Sequence, residues 1–205
     1  MGGRFVVLEG PEGAGKTTQL DRLAAMVPDA VVTREPGGTR GGEAVRAALL
    51  DTEAAWSPLA EALLMNAARD AHLREVVLPA LDAGRDVLCD RYADSTDAYQ
   101  GGGGGLDANV IAVLRRWVCA REPDLVLVFD IDPAAGLARA AARGRADRFE
   151  AKGQAYHERV RARFRDIAER ADAALIDASG APDAVALRVR AAVAERLPGL
   201  LPREG

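Results

Sequence analysis

The sequence has few of the residues that would place it outside the ordinary globular proteins. Its 205 residues include two cysteines, Cys89 and Cys119, and two histidines, His72 and His157. The cysteines form neither a CxxC motif nor a disulfide framework, and the histidines are too far apart in sequence for a zinc pattern. No apolar run approaches the ~20 residues that a membrane span needs. We therefore expect reduced thiols, no zinc site and no transmembrane helix.

Net positive charge is also missing, because the formal charge is −4 at pH 7. The chain as a whole is therefore not attracted to nucleic acid or to an anionic membrane, and any anion-binding site must be local. Only two of the 27 cationic side chains are lysines, Lys16 and Lys152. The residues before the first apolar run have no signal-peptide core and no myristoylation pattern. We expect a cytoplasmic protein that binds neither nucleic acid nor membrane.

Short apolar runs alternate with longer segments in which apolar residues recur at helical spacing. The runs lack in/out alternation, which is typical of strands buried on both faces of a parallel sheet. They are Phe5–Leu8, Ala30–Val32, Val87–Cys89, Leu125–Phe129 and Ala174–Ile176. Because strands and helices alternate five times with no linker, we predict one doubly wound α/β domain over residues 1–205.

Capping residues and prolines predict where several helices begin. The predicted starts are Ser57-Pro58, Asp107, Asp132-Pro133 and Pro182. The helix that begins at Ser57-Pro58 should run toward Pro79. Residues 197–205 contain two prolines and are predicted to fray.

Three segments interrupt the alternation of strands and helices. Residues 34–42 and 99–105 are rich in glycine and follow the carboxyl ends of predicted strands, where ligands bind in such sheets. Residues 143–153 are rich in arginine and lie between two predicted helices, so we interpret them as a mobile lid.

Residues 10–17 read GPEGAGKT, which is the GxxxxGK[ST] pattern between a predicted strand and a predicted helix. Glycines let successive backbone N–H groups point into one concavity, and the helix N-terminus adds partial positive charge. Lys16 should reach the β- and γ-phosphates of a nucleotide, and the Thr17 hydroxyl should hold Mg²⁺. The predicted nucleotide-binding residues are Gly10, Pro11, Glu12, Gly13, Ala14, Gly15, Lys16, Thr17 and Thr18.

This phosphate cradle leaves four classes open: a switch GTPase, a motor or assembly ATPase, a small-molecule kinase and a nucleotide-binding protein without turnover. A GTPase normally needs an NKxD tract to read guanine, and neither lysine follows an asparagine. Motors and assembly ATPases usually need a longer chain. The short chain, its acidic charge and the two additional loops therefore favour a small-molecule kinase.

Asp90 and Arg91 end the third predicted strand, where both side chains would be aimed at the phosphate site. Arginine presents five donors in a rigid fork, so it suits a second phosphate group. The alternative is a surface ion pair.

Five segments, in this order and at these spacings, resemble the bacterial thymidylate kinase (dTMP kinase) family: EGPEGAGKTTQ, TREPGGT, AARD, DRYADSTDAYQGGG and ARGRADRFE. The resemblance extends from Phe5 to about Val193. It implies the P-loop nucleoside monophosphate kinase fold, with a five-stranded parallel sheet flanked by helices and a closing lid. It also implies Mg²⁺-dependent phosphoryl transfer from ATP to dTMP, giving dTDP and ADP for dTTP biosynthesis, by a homodimer. A related kinase for another nucleotide and a non-catalytic regulatory module stay open as alternatives.

The resemblance implies roles for residues at the acceptor site. Glu12 matches the carboxylate that meets the sugar 3′-hydroxyl of dTMP, and Arg69 matches the arginine that hydrogen-bonds the thymine carbonyl. Arg91 matches the arginine that binds the dTMP phosphate, beside Asp90. Tyr99 matches the tyrosine under the sugar that leaves no room for a 2′-hydroxyl. The remaining candidates are Arg34, Pro36 near the thymine methyl, Met65, Thr96 near the pyrimidine edge, and Gln100.

One position selects between two arrangements that the family uses, and Met65 and Gly104 depart from the family pattern, Gly104 standing where the family often has an arginine. Gly13 stands where one arrangement of the family has an arginine in the cradle, so the chain resembles the other arrangement, in which the lid supplies the catalytic cation. Met65 replaces a phenylalanine that stacks on thymine, which predicts weaker base affinity and retained activity. The candidate catalytic residues are Lys16, Arg91, Glu12, Arg143, Arg145 and Arg148, and the candidate Mg²⁺ ligands are Thr17 and Asp90.

Overall fold

The computed structural model describes residues 2–142 and 147–202. Within them, five strands form one parallel sheet in the order β2-β3-β1-β4-β5. The strands are β1 (Phe5–Glu9), β2 (Val31–Arg34), β3 (Val87–Asp90), β4 (Leu125–Asp130) and β5 (Ala173–Asp177). The predicted five-stranded parallel sheet is confirmed. Leu8 pairs with Asp90, so the carboxyl ends of β1 and β3 lie side by side.

Helices cover both faces of this sheet. They are α1 (Lys16–Ala24), α2 (Arg40–Leu50), α3 (Pro58–His72), α4 (Leu78–Asp82), α5 (Ala93–Thr96), α6 (Ala108–Val118), α7 (Pro133–Ala141), α8 (Gln154–Ile167) and α9 (Pro182–Arg196). Two π-helical segments, Leu73–Val77 and Asp97–Gly103, continue α3 and α5. The helical path from Pro58 therefore reaches Pro79, as predicted, but it also continues beyond Pro79 to Asp82, with a change of hydrogen-bond pattern on the way.

The predicted helix starts are confirmed. The Ser57 hydroxyl accepts a hydrogen bond from the Ala60 amide at 3.2 Å. The Asp107 carboxylate accepts one from the Asn109 amide at 2.7 Å. Asp132 caps α7 in the same way, and α9 begins at Pro182. Each cap satisfies an amide that the first helical turn leaves without an intrahelical partner.

The expectation that all five strands are buried on both faces is wrong for β2 and β5. Val32 in β2 and Leu175 in β5 are each 46% exposed, whereas β1 and β4 are buried almost throughout. Because β2 and β5 are the two edges of the sheet, the helical layers cover them only in part. Strand order, which apolar runs alone do not show, decides this difference.

The central strand β1 divides the core into two layers. Val6 and Leu8 pack with α1 and α9 on one face of the sheet. Phe5 and Val7 pack with the α3–α4 segment on the other face. Leu200 is buried in the α1/α9 layer, so the tail that was predicted to fray from residue 197 is packed at this point.

Cys89 is buried and Cys119 is partly buried, and both are free thiols, as predicted. Burial raises the pKa of the Cys89 thiol well above its ordinary value. No helix within residues 2–142 and 147–202 is both long and apolar enough to cross a membrane.

A buried ion cluster ties α5 to the rest of the fold. Asp94 is 2% exposed. Its carboxylate accepts a hydrogen bond from Arg115 at 2.6 Å and two from Arg170 at 2.7 and 2.8 Å. Burial alone would raise the pKa of Asp94, but the hydrogen bond from Arg170 and the charge of Arg115 outweigh it and hold the pKa below 3.8. The cluster therefore anchors the segment that follows Arg91.

Asp94→Asn leaves two arginines without their carboxylate, and we expect it to lower the free energy of unfolding at pH 7 by about 3 kcal/mol. Because the folded-state pKa is depressed, this stabilisation is present above the unfolded value of 3.8 and is lost as the pH falls through the lower folded value. Urea unfolding at pH 7 and pH 3 measures both effects. The control is Asp70→Asn, which breaks an exposed pair with Arg74 and should cost under about 1 kcal/mol. Equal stability of Asp94→Asn and wild type at pH 7 would contradict the prediction.

Candidate active site

The phosphate cradle lies between β1 and α1. The loop contains three glycines with positive φ angles, Gly10 (139°), Gly13 (69°) and Gly15 (83°). Glycine adopts such angles readily, so the backbone can turn its N–H groups toward the inside of the loop. Lys16 begins α1, and its Nζ donates to the carbonyl oxygens of Gly10 at 3.1 Å and Pro11 at 3.0 Å. Burial, followed by the charge of Arg91, lowers the pKa of Lys16 to about 8. The sequence-predicted cradle is thus formed, with its lysine folded back into the loop.

Gly13 cannot carry a side chain in this loop. A Cβ atom at this position would collide with the carbonyl group of Gly136 in α7, and the φ of Gly13 is in the left-handed region. The cradle is therefore pressed against α7. This contact leaves no space at position 13 for the arginine that the resemblance places there in the cradle-arginine arrangement.

Arg91 lies at the carboxyl end of β3 and connects the cradle to the opposite side of the site. Its Nη1 donates to the Gly10 carbonyl at 2.9 Å and to Ser95 Oγ at 3.2 Å. Its Nη2 donates to Glu12 Oε1 at 2.6 Å and to the Tyr99 hydroxyl at 3.0 Å. The charge of Glu12 more than offsets the effect of burial and raises the pKa of Arg91. The structure thus brings Glu12, Arg91 and Tyr99 together.

The backbone of Arg91 has a φ of 72°, a left-handed conformation that costs a non-glycine residue roughly 1–2 kcal/mol. Glu9 stabilises the turn that follows. Its carboxylate accepts hydrogen bonds from the amides of Tyr92 at 2.8 Å and Ser95 at 3.1 Å, and from the Ser95 hydroxyl at 2.6 Å. Burial, followed by repulsion from Asp94, raises the pKa of Glu9 to about 7. Glu9 was not among the predicted site residues, because a glutamate at a strand end has no distinctive spacing.

Thr17 and Asp90 meet beside the cradle. The Thr17 hydroxyl donates to Asp90 Oδ2 at 2.9 Å, and Asp90 Oδ1 is buried without a hydrogen-bond partner among the described residues. In the part of the chain that the structure describes, no cluster of three histidine, cysteine or acidic side chains could hold a metal. One carboxylate and one hydroxyl fit Mg²⁺, which keeps several waters and takes further ligands from substrate phosphates.

Two cavities meet at Arg91. The first has a volume of about 590 Å³ and is lined by the cradle, Thr17, Asp90 and Arg34. The second has a volume of about 110 Å³ and collects most of the predicted acceptor residues, namely Pro36, Met65, Arg69, Thr96, Tyr99 and Gln100. Five residues line both cavities: Glu12, Glu35, Arg46, Arg91 and Asp147. We call this shared region the junction.

Arg69 is 2% exposed, and every one of its N–H groups has a protein partner. Nε donates to Glu35 at 2.7 Å, and Nη1 donates to Asn66 at 3.1 Å and Thr96 at 3.2 Å. Nη2 donates to the Tyr92 carbonyl at 2.9 Å and to Thr96 at 3.3 Å. A ligand carbonyl in the second cavity would therefore take over a donor that the Thr96 hydroxyl now shares.

A chain of buried polar groups lies behind Arg69. The second oxygen of Glu35 is 2.9 Å from His72 Nδ1, and His72 Nε2 is 2.7 Å from the Thr33 hydroxyl. Glu35 and His72 are 4% and 0% exposed. Neither Glu35 nor His72 was among the predicted site residues, although Glu35 belongs to the TREPGGT segment. Their contact joins residues 37 positions apart, which local spacing does not reveal.

The lid arginines are placed differently from one another. Arg148 donates to the Leu49 carbonyl at 2.9 Å and to Glu61 at 2.6 Å, and it lines neither cavity. Arg143 and Arg145 lie outside the described residues. Phe149 lines the second cavity with Met65 and packs edge-on against Tyr99, with ring centroids 6.0 Å apart. The lid segment thus contributes an aromatic wall where Met65 offers none.

A third cavity of about 280 Å³ lies behind the cradle and shares Gly13, Gly15 and Thr18 with the first. Arg139 closes one side by donating to the Ala178 carbonyl at 3.1 Å. Gln19 closes another by donating to the Pro182 carbonyl at 2.9 Å. Because it continues from the phosphate cradle, this cavity suits the base end of a nucleotide. The sequence analysis did not find these residues.

A phosphate cradle that opens through a cation-bearing junction into a small acceptor cavity defines a P-loop kinase for a small phosphorylated acceptor. Comparison with known proteins gives the family. A sequence model described as thymidylate kinase matches residues 8–189. A thymidylate kinase from Caulobacter vibrioides is 49% identical over 95% of this chain and 98% of its own length. One from Deinococcus radiodurans is 47% identical over 95% of this chain and 98% of its own length.

Solved structures agree. A crystal structure of thymidylate kinase from Ehrlichia chaffeensis aligns with a TM-score of 0.76 and 31% identity, covering 94% of this chain and all of that one. The chain belongs to the thymidylate kinase family.

The contact between Gly13 and α7 predicts that Gly13→Ala damages the cradle. The added Cβ meets the Gly136 carbonyl and imposes a left-handed alanine, so we expect MgATP affinity to fall at least ~10-fold. Isothermal titration with MgATP measures this. The control is Gly41→Ala, which adds a Cβ in open space on α2 and should leave affinity unchanged. Unaltered MgATP binding by Gly13→Ala would show that the cradle can move away from α7.

Proposed function

We propose that this chain transfers the γ-phosphoryl group of ATP to dTMP, giving dTDP and ADP, for the biosynthesis of dTTP. One observation carries the proposal: the cavity at the phosphate cradle and the cavity with the acceptor residues share the junction around Arg91. ATP would place its phosphates on residues 10–18 and its base in the third cavity. dTMP would fill the second cavity with its phosphate at the junction.

The contacts of the second cavity support dTMP as the acceptor. The sugar 3′-hydroxyl would donate a hydrogen bond to Glu12, and the phosphate would accept hydrogen bonds from Arg91. The ligand would thus replace part of the ion pair between Glu12 and Arg91. Arg69 and Thr96 face the thymine edge, and Tyr99 excludes a 2′-hydroxyl beneath the sugar. Pro36, Met65, Phe149 and Gln100 complete the walls. Arg34 and Asp90 line the first cavity and not the second. If they contact dTMP, they would therefore contact its phosphate group.

Little covalent chemistry is required of the protein. The acceptor oxygen is already ionised at neutral pH, because the second pKa of a phosphate monoester is about 6, so no general base is needed. Lys16 and Arg91 would position the phosphates and stabilise the charge that spreads over the transferred group. The lid would add Arg143, Arg145 or Arg148. Mg²⁺ held at Thr17 and Asp90 would neutralise charge on the phosphate oxygens of ATP.

We also propose a cytoplasmic homodimer. Helices α3 and α6 pack together and expose Leu59, Leu63, Val113 and Trp117, whose exposed fractions run from 44% to 82%. A second copy of the chain would cover this apolar surface. The free, reduced thiols suit a cytoplasmic enzyme.

The proposal predicts that ADP forms from MgATP only when dTMP is added. Lys16→Ala removes the cradle lysine, and we expect at least a ~10³-fold loss of kcat with the fold preserved. A coupled assay of ADP release measures this for dTMP, for another nucleoside monophosphate and with no acceptor. Faster turnover of another monophosphate would indicate the related kinase, and absence of any turnover by the wild type would indicate the regulatory module.

The proposal also predicts that Glu35 positions Arg69. Glu35→Gln keeps the size of the side chain but removes the charge that holds the guanidinium, so we expect the KM for dTMP to rise about 10-fold. The KM for ATP should stay within about 2-fold. The control is Glu75→Gln, an exposed glutamate on the outer side of the α3–α4 segment. A parallel rise of both KM values would instead mean that Glu35 supports the whole fold.

A further inference from the structure

A buried carboxylate on α3 connects the predicted lid segment to the acceptor cavity. Glu61 is 1% exposed. Its Oε1 accepts a hydrogen bond from Arg148 Nη1 at 2.6 Å and forms an ion pair with Lys152 Nζ at 3.4 Å. Its Oε2 accepts a hydrogen bond from Gln100 Nε2 at 2.9 Å. We call these four residues the Glu61 cluster, to which the proposed reaction gives no role so far.

The contacts of Glu61 require a carboxylate. The three groups that contact it are all donors, two cations and one amide N–H group. A carboxylate accepts hydrogen bonds on both oxygens, whereas a carboxamide accepts on one atom and donates from the other. The charge of Glu61 therefore fixes the orientation of the Gln100 carboxamide as well as the positions of Arg148 and Lys152.

Arg148 is held on a second side by α2. Its Nε donates to the Leu49 carbonyl at 2.9 Å, in the last turn of the helix, where carbonyl groups lack intrahelical partners. Helix α2 has no basic residue in its own last turn, so Arg148 supplies the cation that stabilises a helix C-terminus. The side chain of Arg148 is only 12% exposed. It thus anchors the end of the lid segment to α2 and α3.

The anchored segment places Phe149 in the wall of the second cavity. The Arg148 guanidinium carbon lies 4.7 Å, and Lys152 Nζ 5.4 Å, from the centre of the Phe149 ring. Gln100 lines the same cavity and not the first one. Glu61 itself lines neither, so it lies behind two walls of the acceptor cavity, one from the lid segment and one from the π-helical segment after α5.

We propose that Glu61 is a positioning residue for the acceptor. By holding Arg148 and Gln100 at once, it keeps Phe149 and Gln100 in the walls of the cavity that receives dTMP. The inference rests on the proposed function. It makes dTMP binding depend on a contact outside the cavity, and it gives Arg148 the role of an anchor.

The test compares Glu61→Gln with Asp70→Asn, which removes an exposed carboxylate of the same helix and breaks its ion pair with Arg74. The carboxamide of Glu61→Gln keeps one accepting oxygen, so either Arg148 or Gln100 loses its partner. We expect the KM for dTMP to rise about 10-fold, whereas kcat and the KM for MgATP stay within about 3-fold. Asp70→Asn should match the wild type in all three constants. Initial rates of ADP formation measure them.

Arg148→Gln removes the same contact from the other side, and it carries the test alone if Glu61→Gln does not fold. It should also raise the KM for dTMP about 10-fold and leave kcat within about 3-fold. The double variant should show a rise of about 10-fold and not about 100-fold, because both changes break one interaction.

A wild-type KM for dTMP in either single variant would overturn the inference. A parallel rise of the KM values for dTMP and MgATP would overturn it too, because Glu61 would then only support the fold. So would a loss of kcat of about 10³-fold in Arg148→Gln with an unchanged KM for dTMP, since Arg148 would then act on the transferred group. These results are distinct from failure of the proposed function, in which wild type and Asp70→Asn would themselves form no ADP with dTMP.

Discussion

The ion pair between Glu12 and Arg91 joins the phosphate cradle to the acceptor cavity, and the rest of the site depends on it. The chain carries a net charge of −4, so it would repel two phosphorylated substrates unless cations were concentrated where they meet. A carboxylate 2.6 Å from Arg91 stabilises that buried cation in the absence of substrate. A ligand with a hydroxyl at one end and a phosphate at the other can satisfy both partners at once. The pair therefore selects for the shape of a nucleoside monophosphate as well as for its charge.

Sheet order explains why this pair can form. Glu12 follows β1 and Arg91 follows β3, and these strands are neighbours although the facing residues Leu8 and Asp90 are 82 positions apart in the sequence. The carboxyl ends of parallel strands form one edge, so both loops open on the same side. Glu9 then holds the turn after Arg91 through two amides and a hydroxyl. Packing in the core holds the strands in place, and the strand ends hold the loops after β1 and β3 side by side. These loops in turn set the distance between Glu12 and Arg91.

The sequence was sufficient to predict features that depend only on residues close to one another in the chain. The glycines of the cradle, the helix caps at Ser57 and Asp107 and the apolar strands were predicted because each depends on neighbours within a few residues. The exposure of β2 and β5 was not predicted, because it depends on the order of the strands in the sheet. Glu35 and Arg139 were not predicted, because each makes its contacts with a segment that is distant in the sequence. The five cation candidates of the sequence analysis divide in the structure: Lys16 and Arg91 line the first cavity, Arg148 contacts Glu61, and the roles of Arg143 and Arg145 stay predictions.

The close contact between the cradle and α7 also constrains where catalytic charge can come from. Because Gly13 meets the Gly136 carbonyl, the loop cannot supply an arginine of its own. Cations must then enter from elements that face the cradle. Among the described residues, Arg34 at the end of β2, Arg46 on α2 and Arg91 after β3 line the same cavity as the cradle. A guanidinium held at a strand end or on a capped helix costs little to reorganise when substrates bind. In the proposed reaction, Arg91 would stabilise the meeting phosphates, and the predicted lid arginines would add to this charge.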